Sequence, residues 1–137
     1  MLSALVVLLL TACGRITTAT LTDNEMHGRF FRMPGNDVAC EVDNPGAVGP
    51  FAGKRTLYCV VFAKSGTRGQ RTWAVRTTGT ARVFWVMGNI ADTTPTLAYG
   101  RSWSNNGFRC TSERAGVTCS NDSNHGFFLS TKTQRTF

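Results

Sequence analysis

The stretch from Phe108 to Asn121 constrains the fold more than any other part of the chain. It reads Phe-Arg-Cys-Thr-Ser-Glu-Arg-Ala-Gly-Val-Thr-Cys-Ser-Asn. Folded as a hairpin with Cys110 opposite Cys119, it sets Ser112 against Val117 and leaves Glu113 to Gly116 as the loop. Gly116 is then the last loop residue, where a turn of this kind calls for a positive φ. One face carries Phe108, Cys110, Val117 and Cys119. The other carries Arg109 opposite Ser120 and Thr111 opposite Thr118. That is the two-residue period of a half-buried antiparallel pair.

The N-terminus reads differently. Residues 1–10 are almost wholly apolar, yet too few for a membrane span, which takes about 20 residues. The run fits the apolar centre of a secretory signal, although no Lys or Arg precedes it. It ends Leu10-Thr11-Ala12-Cys13-Gly14, which resembles the bacterial lipobox. The resemblance implies cleavage after residue 12 and a diacylglyceryl thioether on Cys13. Of the five cysteines, four then remain for the folded part. Residues 13–28, rich in threonine and without an apolar period, read as a spacer between lipid and domain, and His27 falls within it. The expected location is the extracytoplasmic face of a cell membrane.

Residues 29–137 form the domain. The chain has 137 residues, with 42% hydrophobic, enough for one core. Arg29 to Met33 reads as a short strand stopped by Pro34-Gly35-Asn36. Val38, Cys40 and Val42 alternate with Ala39 and Glu41, which predicts a strand with one wet face. Asn44 to Pro50 is a loop. Thr56 to Phe62 is apolar on both faces and belongs in the middle of a sheet. Lys64 to Arg71 is a basic turn region. Thr72 to Arg76 and Ala81 to Met87 pair around Thr78-Gly79; a three-residue loop would set Trp73 and Val75 facing Val83 and Trp85, with the exact register left open. After a loop to Pro95 come a short strand at Thr96 to Tyr99, the cysteine hairpin, and strands at Phe127 to Ser130 and Thr133 to Phe137. No segment has a helical period. The expectation is an all-β fold, a small antiparallel barrel or sandwich with two disulfides. Four cysteines allow three connectivities; pairing in sequence order, Cys40–Cys59 and Cys110–Cys119, is the one expected in an oxidising compartment.

Catalytic motifs are sparse. The sequence has no Gly-x-Ser-x-Gly, no His-Glu-x-x-His and no phosphate-cradling glycine loop. Asp122, Ser123 and His125 lie together in sequence, but triad members must meet in space, so His125 reads first as a turn residue. Asp37, Glu41 and Asp43 share one strand face by spacing and read as a solvated acidic edge rather than a cation site. The cysteine spacings do not suit a zinc site. No cofactor or metal is implied. The formal charge is +7. Arg68, Arg71, Arg76 and Arg82 cluster near Trp73 and Trp85, which makes these residues, with His125, the candidate binding group. Basic and aromatic side chains together suit nucleic acid. For a domain outside the cell, however, the available anions are lipid headgroups and wall polymers, so no nucleic acid is expected.

The C-terminal block resembles a family of small secreted proteins and lipoproteins of actinobacteria, a domain of unknown function. The matching residues are Tyr99-Gly100-Arg101, Gly107 to Ser112, Gly116 to Cys119, His125-Gly126-Phe127, Leu129-Ser130 and Phe137. A weaker match covers Phe31 to Cys40. Family members often carry a further cysteine pair where this chain has Phe84-Trp85-Val86-Met87. The resemblance implies the extracytoplasmic compartment and the disulfides, and no activity. The functional expectation is a lipid-anchored, non-catalytic envelope module that binds an anionic polymer or a protein partner. The alternatives are a phage-encoded superinfection-exclusion lipoprotein and a small envelope hydrolase using His125.

Overall fold

The computed structural model describes residues 25–43, 51, 53–62, 70–86 and 95–137. The signal-like run, Cys13 and most of the spacer lie outside these residues, as do the loops at 44–50 and 87–94 and the basic stretch 63–69. Two sheets make up the described part. The first holds β2 (Phe30–Arg32), β3 (Val38–Val42), β4 (Thr56–Val61), β5 (Gln70–Arg76) and β6 (Arg82–Val86) in that order, all antiparallel. The second holds β7 (Ser102–Asn105), β8 (Phe108–Glu113), β9 (Gly116–Asn121), β10 (Gly126–Leu129) and β11 (Gln134–Thr136). Here β1 (Glu25–His27) is added parallel to β7. Neither sheet closes on itself, so the fold is a sandwich rather than a barrel. No described residue is helical.

Register explains the core. Across the first sheet, Phe31, Cys40, Cys59 and Trp73 lie side by side in one row. Across the second, Trp103, Cys110, Cys119 and Phe127 do the same. Each row reads aromatic, cysteine, cysteine, aromatic. Both face inward, and all eight residues belong to one core cluster. Phe31 meets Trp103 with ring centroids 5.0 Å apart. Each cysteine pair is a disulfide between directly opposed residues, with a Cα–Cα distance of 4.1 Å in both cases. The bridges also meet one another: the sulfurs of Cys40, Cys59 and Cys119 lie within 4.8 Å. The loop-entropy account gives each bridge about 3 kcal/mol.

The cysteine hairpin has the expected register, with Cys110 opposite Cys119 and Ser112 opposite Val117. Pairing continues one step further, to Glu113 and Gly116, so the loop is only Arg114-Ala115. Gly116 has φ 150, and the Phe128 ring lies over it so closely that a Cβ would collide.

Other expectations are corrected in detail. β3 is buried on both faces. Its outer residues Ala39 and Glu41 are covered, and the Glu41 charge is met by Arg29 at 3.1 Å. β4 is central and buried along nearly its whole length, as its two apolar faces require. Thr96 makes only an isolated bridge to Arg32 in place of a strand. β1 lies within the stretch read as spacer. β7 contains a single large apolar residue, Trp103, and its strand pattern is correspondingly faint. In the β5–β6 hairpin, Trp73 opposes Val83 and Arg71 opposes Trp85. Trp73 thus faces Val83 as expected, whereas Trp85 lies against Arg71 rather than Val75, past the end of the core.

The proximity of the two bridges has a chemical consequence. Replacing Cys110 by serine leaves the Cys119 thiol beside the Cys40–Cys59 bond. Its thiolate is expected to attack Cys40 or Cys59, forming an inter-sheet disulfide and releasing the other sulfur as a thiolate. Non-reducing peptide mapping of Cys110→Ser should find Cys119 joined to Cys40 or Cys59. A Cys40–Cys59 bond with a free Cys119 thiol would refute this account of the core.

Candidate binding site

The candidate residues fall in three places. Strand alternation puts Arg71 and Trp73 on the inner face of the first sheet, and Arg76 and Arg82 on the outer face. The four arginines therefore do not form one patch; Arg68 lies outside the described residues. What assembles is smaller. The Arg71 guanidinium carbon stands 5.5 Å from the Trp73 ring centroid and 5.9 Å from that of Trp85. Trp73 is buried, whereas Trp85 is 68% exposed and Val83 39% exposed. Among the described residues no carboxylate pairs with Arg71. The sheet thus ends in a platform of two indoles and a guanidinium. The Arg71 cation therefore lies over the faces of two indoles, where the ring quadrupoles attract it.

His125 sits at the opposite end of the sandwich, in the turn between β9 and β10. Its ring nitrogen Nδ1 is 3.3 Å from the Phe137 carbonyl oxygen, and its backbone N–H donates to Asn121 Oδ1. No hydrogen bond or ion pair joins it to Ser123 or Asp122, so the three neighbours in sequence make no triad. The turn is organised by Asn121, which is buried. Its amide nitrogen donates to the carbonyls of Arg76 at 2.9 Å and Gly79 at 2.8 Å. Its oxygen accepts from the backbone of Ser123 and His125. All four hydrogen-bonding positions of this amide are used, and they tie the second sheet to the β5–β6 hairpin of the first. Arg55 makes a parallel tie. It pairs with Asp43, donates to Asn105 and Asn106 and stands over the Phe108 ring at 5.8 Å. The carbonyl of Gly28, where the chain passes from one sheet to the other, accepts from Trp103 Nε1 and Asn105 Nδ2.

The remaining candidates are engaged in structure. Glu41 and Asp43 are ion-paired, and Asp43 also accepts from the Thr56 backbone N–H. Asp37 stands apart from both. His27, on β1, is within hydrogen-bonding distance of Ser104. Burial pushes the Tyr58 phenol above its usual pKa of 10.0; a hydrogen bond with Thr56 opposes the rise and the Asp43 charge adds to it.

A further feature went unread in the sequence. Tyr99, Arg114 and Lys132, none of which shares a motif with another, line one cleft between the ends of the two sheets. Only the fold brings them together. Residues 86–137 match a family of unknown function, DUF6636. The matched segment spans β7 to β11 and includes these three residues, Asn121 and His125. No curated protein and no solved structure matches the chain.

Asn121→Ala should lower stability by about 2–4 kcal/mol, because several backbone groups lose partners in a buried place. His125→Ala should cost less than about 1 kcal/mol. Denaturant titration of both variants distinguishes the roles; an equal or larger loss for His125→Ala would contradict the assignment. The Tyr58 shift carries its own sign. Raising the pKa in the fold means that the native state holds its proton more tightly than the unfolded chain. That stability is fully present below pH 10 and is lost as pH rises beyond it. Tyr58→Phe should therefore flatten the alkaline limb of the stability–pH curve above pH 10 without changing its shape at neutral pH.

Proposed function

We propose that this protein is a lipid-anchored module of the actinobacterial cell envelope that binds an anionic envelope polymer without catalysis. In this reading Cys13 carries the lipid, and Arg71 and Trp85, backed by the buried Trp73, make the contact. The observation behind it is the guanidinium of Arg71 set over two indoles, one buried and one largely exposed. An exposed tryptophan at the end of a strand costs solubility. Its pairing with an arginine that has no carboxylate partner among the described residues suits a phosphate- or carboxylate-bearing chain laid across both. The formal charge of +7 favours the approach of any such polymer. The lipobox resemblance at Leu10 to Cys13 supplies the anchoring part, since two or more acyl chains hold a protein to a bilayer where one does not.

Two measurements separate the parts of this reading. In detergent partitioning, wild type should enter the detergent phase and Cys13→Ala should not; equal partitioning removes the anchor. In cosedimentation with purified, protein-free cell-wall material, Arg71→Ala and Trp85→Ala should each weaken binding roughly tenfold, the size of one favourable cation–π contact or charge-assisted hydrogen bond. The binding should also weaken with added salt. Unchanged affinity in both variants would remove the platform and leave the anchor untouched.

A further inference from the structure

The cleft named above lies between the ends of the two sheets, at the end away from Asn121, and its volume is about 250 Å³. Three separate turns contribute to it: the β2–β3 turn, the β8–β9 turn and the β10–β11 turn. Met33, Val38 and Leu129 lie beneath it as part of the core and are buried. The charged lining consists of Arg114, Lys132 and Asp37. None of these three charges has an ion-pair partner among the described residues. Arg114 is held over the Tyr99 ring, with its guanidinium carbon 5.4 Å from the centroid. Asp37 is half-buried, yet its carboxylate makes no hydrogen bond to the described residues. Its backbone carbonyl is engaged by the Phe62 N–H, so the turn is fixed while the acid is left unmatched. Its carboxylate is open to solvent or to a ligand.

We propose that this cleft binds a small zwitterion: an amino acid, or a free amino-acid group on a larger molecule. The charges select the class. A simple anion would meet Arg114 and Lys132 but be opposed by Asp37. A simple cation would meet Asp37 and be opposed by the two bases. A molecule carrying an ammonium and a carboxylate satisfies all three. The volume is below the range of sites for drug-sized ligands, about 300–1,000 Å³, and suits one residue rather than a long peptide. The site shares no residue with the Arg71 platform and stands or falls independently of it.

The test is an NMR titration of the full-length protein with L-leucine, N-acetyl-leucine and leucinamide. Leucine should shift the amide signals of Asp37, Gly116 and Lys132 saturably. Each analogue lacks one charge and should bind about tenfold more weakly or worse, the equivalent of one charge-assisted hydrogen bond. Arg114→Ala and Lys132→Ala should each weaken leucine binding by a similar factor. Asp37→Asn should do so as well, while bringing N-acetyl-leucine level with leucine. These residues are exposed or half-buried, and the dispersion of the spectra reports directly whether each variant is folded. Absence of a saturable response to leucine overturns the proposal. So does an equal response to either analogue in the wild type, or a response unaffected by loss of Arg114.

Discussion

The contact between the two disulfides is what the rest of this structure is arranged around. Each bridge joins directly opposed residues of adjacent strands, and each lies between flanking aromatic residues in the same row. Because the sulfurs of Cys40, Cys59 and Cys119 come within 4.8 Å, the bridges meet at the centre of the sandwich rather than stapling its periphery. A domain built only of strands depends on contacts between residues distant in sequence, and each such contact requires loop closure before it can be made. The bridges remove part of that entropy from the unfolded chain within each sheet. Their mutual packing, together with Phe31 on Trp103, then joins the sheets. Hydrophobic burial around this centre is continuous: Leu57, Val75, Leu97, Val117 and Leu129 all belong to the same cluster.

The two ends of the sandwich differ in kind. At one end polar groups are matched across the sheets. Asn121 makes its full set of hydrogen bonds, Arg55 reaches Asp43 and the Asn105–Asn106 turn, and the Gly28 carbonyl accepts from two side chains. Such saturated contacts in a partly buried setting fix register and relative placement. At the other end are Asp37, Arg114 and Lys132, whose charges have no ion-pair partner among the described residues, and the overhanging Trp85 beside Arg71. Among the described residues, polar groups are thus matched across the sheets at one end and not at the other. His125 belongs to the first end. Its neighbours in sequence suggest catalysis, but its contacts are with the turn amide and the last carbonyl of the chain.

Much of the fold was legible because strand alternation is a local signal. Cys110 to Cys119 revealed its register through four matched pairs of faces. The two apolar faces of Thr56 to Val61 placed β4 at the centre of its sheet. What was not legible has physical reasons. The wet face expected for β3 fails because Glu41 is covered and neutralised by Arg29, a contact that alternation cannot show. The place of Trp85, against Arg71 rather than Val75, was not legible, because alternation fixes a side chain's face and not its partner. β7 was missed although Asn106-Gly107, with φ 20 and φ 97, is a strong two-residue hairpin signal. The signal sits between Trp103 and Phe108, and it alone would have located the strand. The recurrence of aromatic, cysteine, cysteine, aromatic in the two sheets is likewise hidden, because the connections between the rows' residues differ in length.

The extent of the family match bears on how the two candidate sites relate. The match covers residues 86–137, the part that forms β7 to β11 and carries Tyr99, Arg114 and Lys132. Arg71, Trp73 and Trp85 all lie before it. The indole platform therefore belongs wholly to the other sheet, while the cleft takes two bases and an aromatic ring from the matched part and Asp37, Met33 and Val38 from the unmatched part. Only the second arrangement depends on how the sheets are joined. A change that lets them slide or part, such as loss of the packed disulfide centre, would separate Asp37 from Arg114 and Lys132 while leaving the register that sets Arg71 beside Trp85 intact. The platform is a property of one hairpin; the cleft is a property of the sandwich, and its charge pattern is held by the same core contacts that hold the two sheets together.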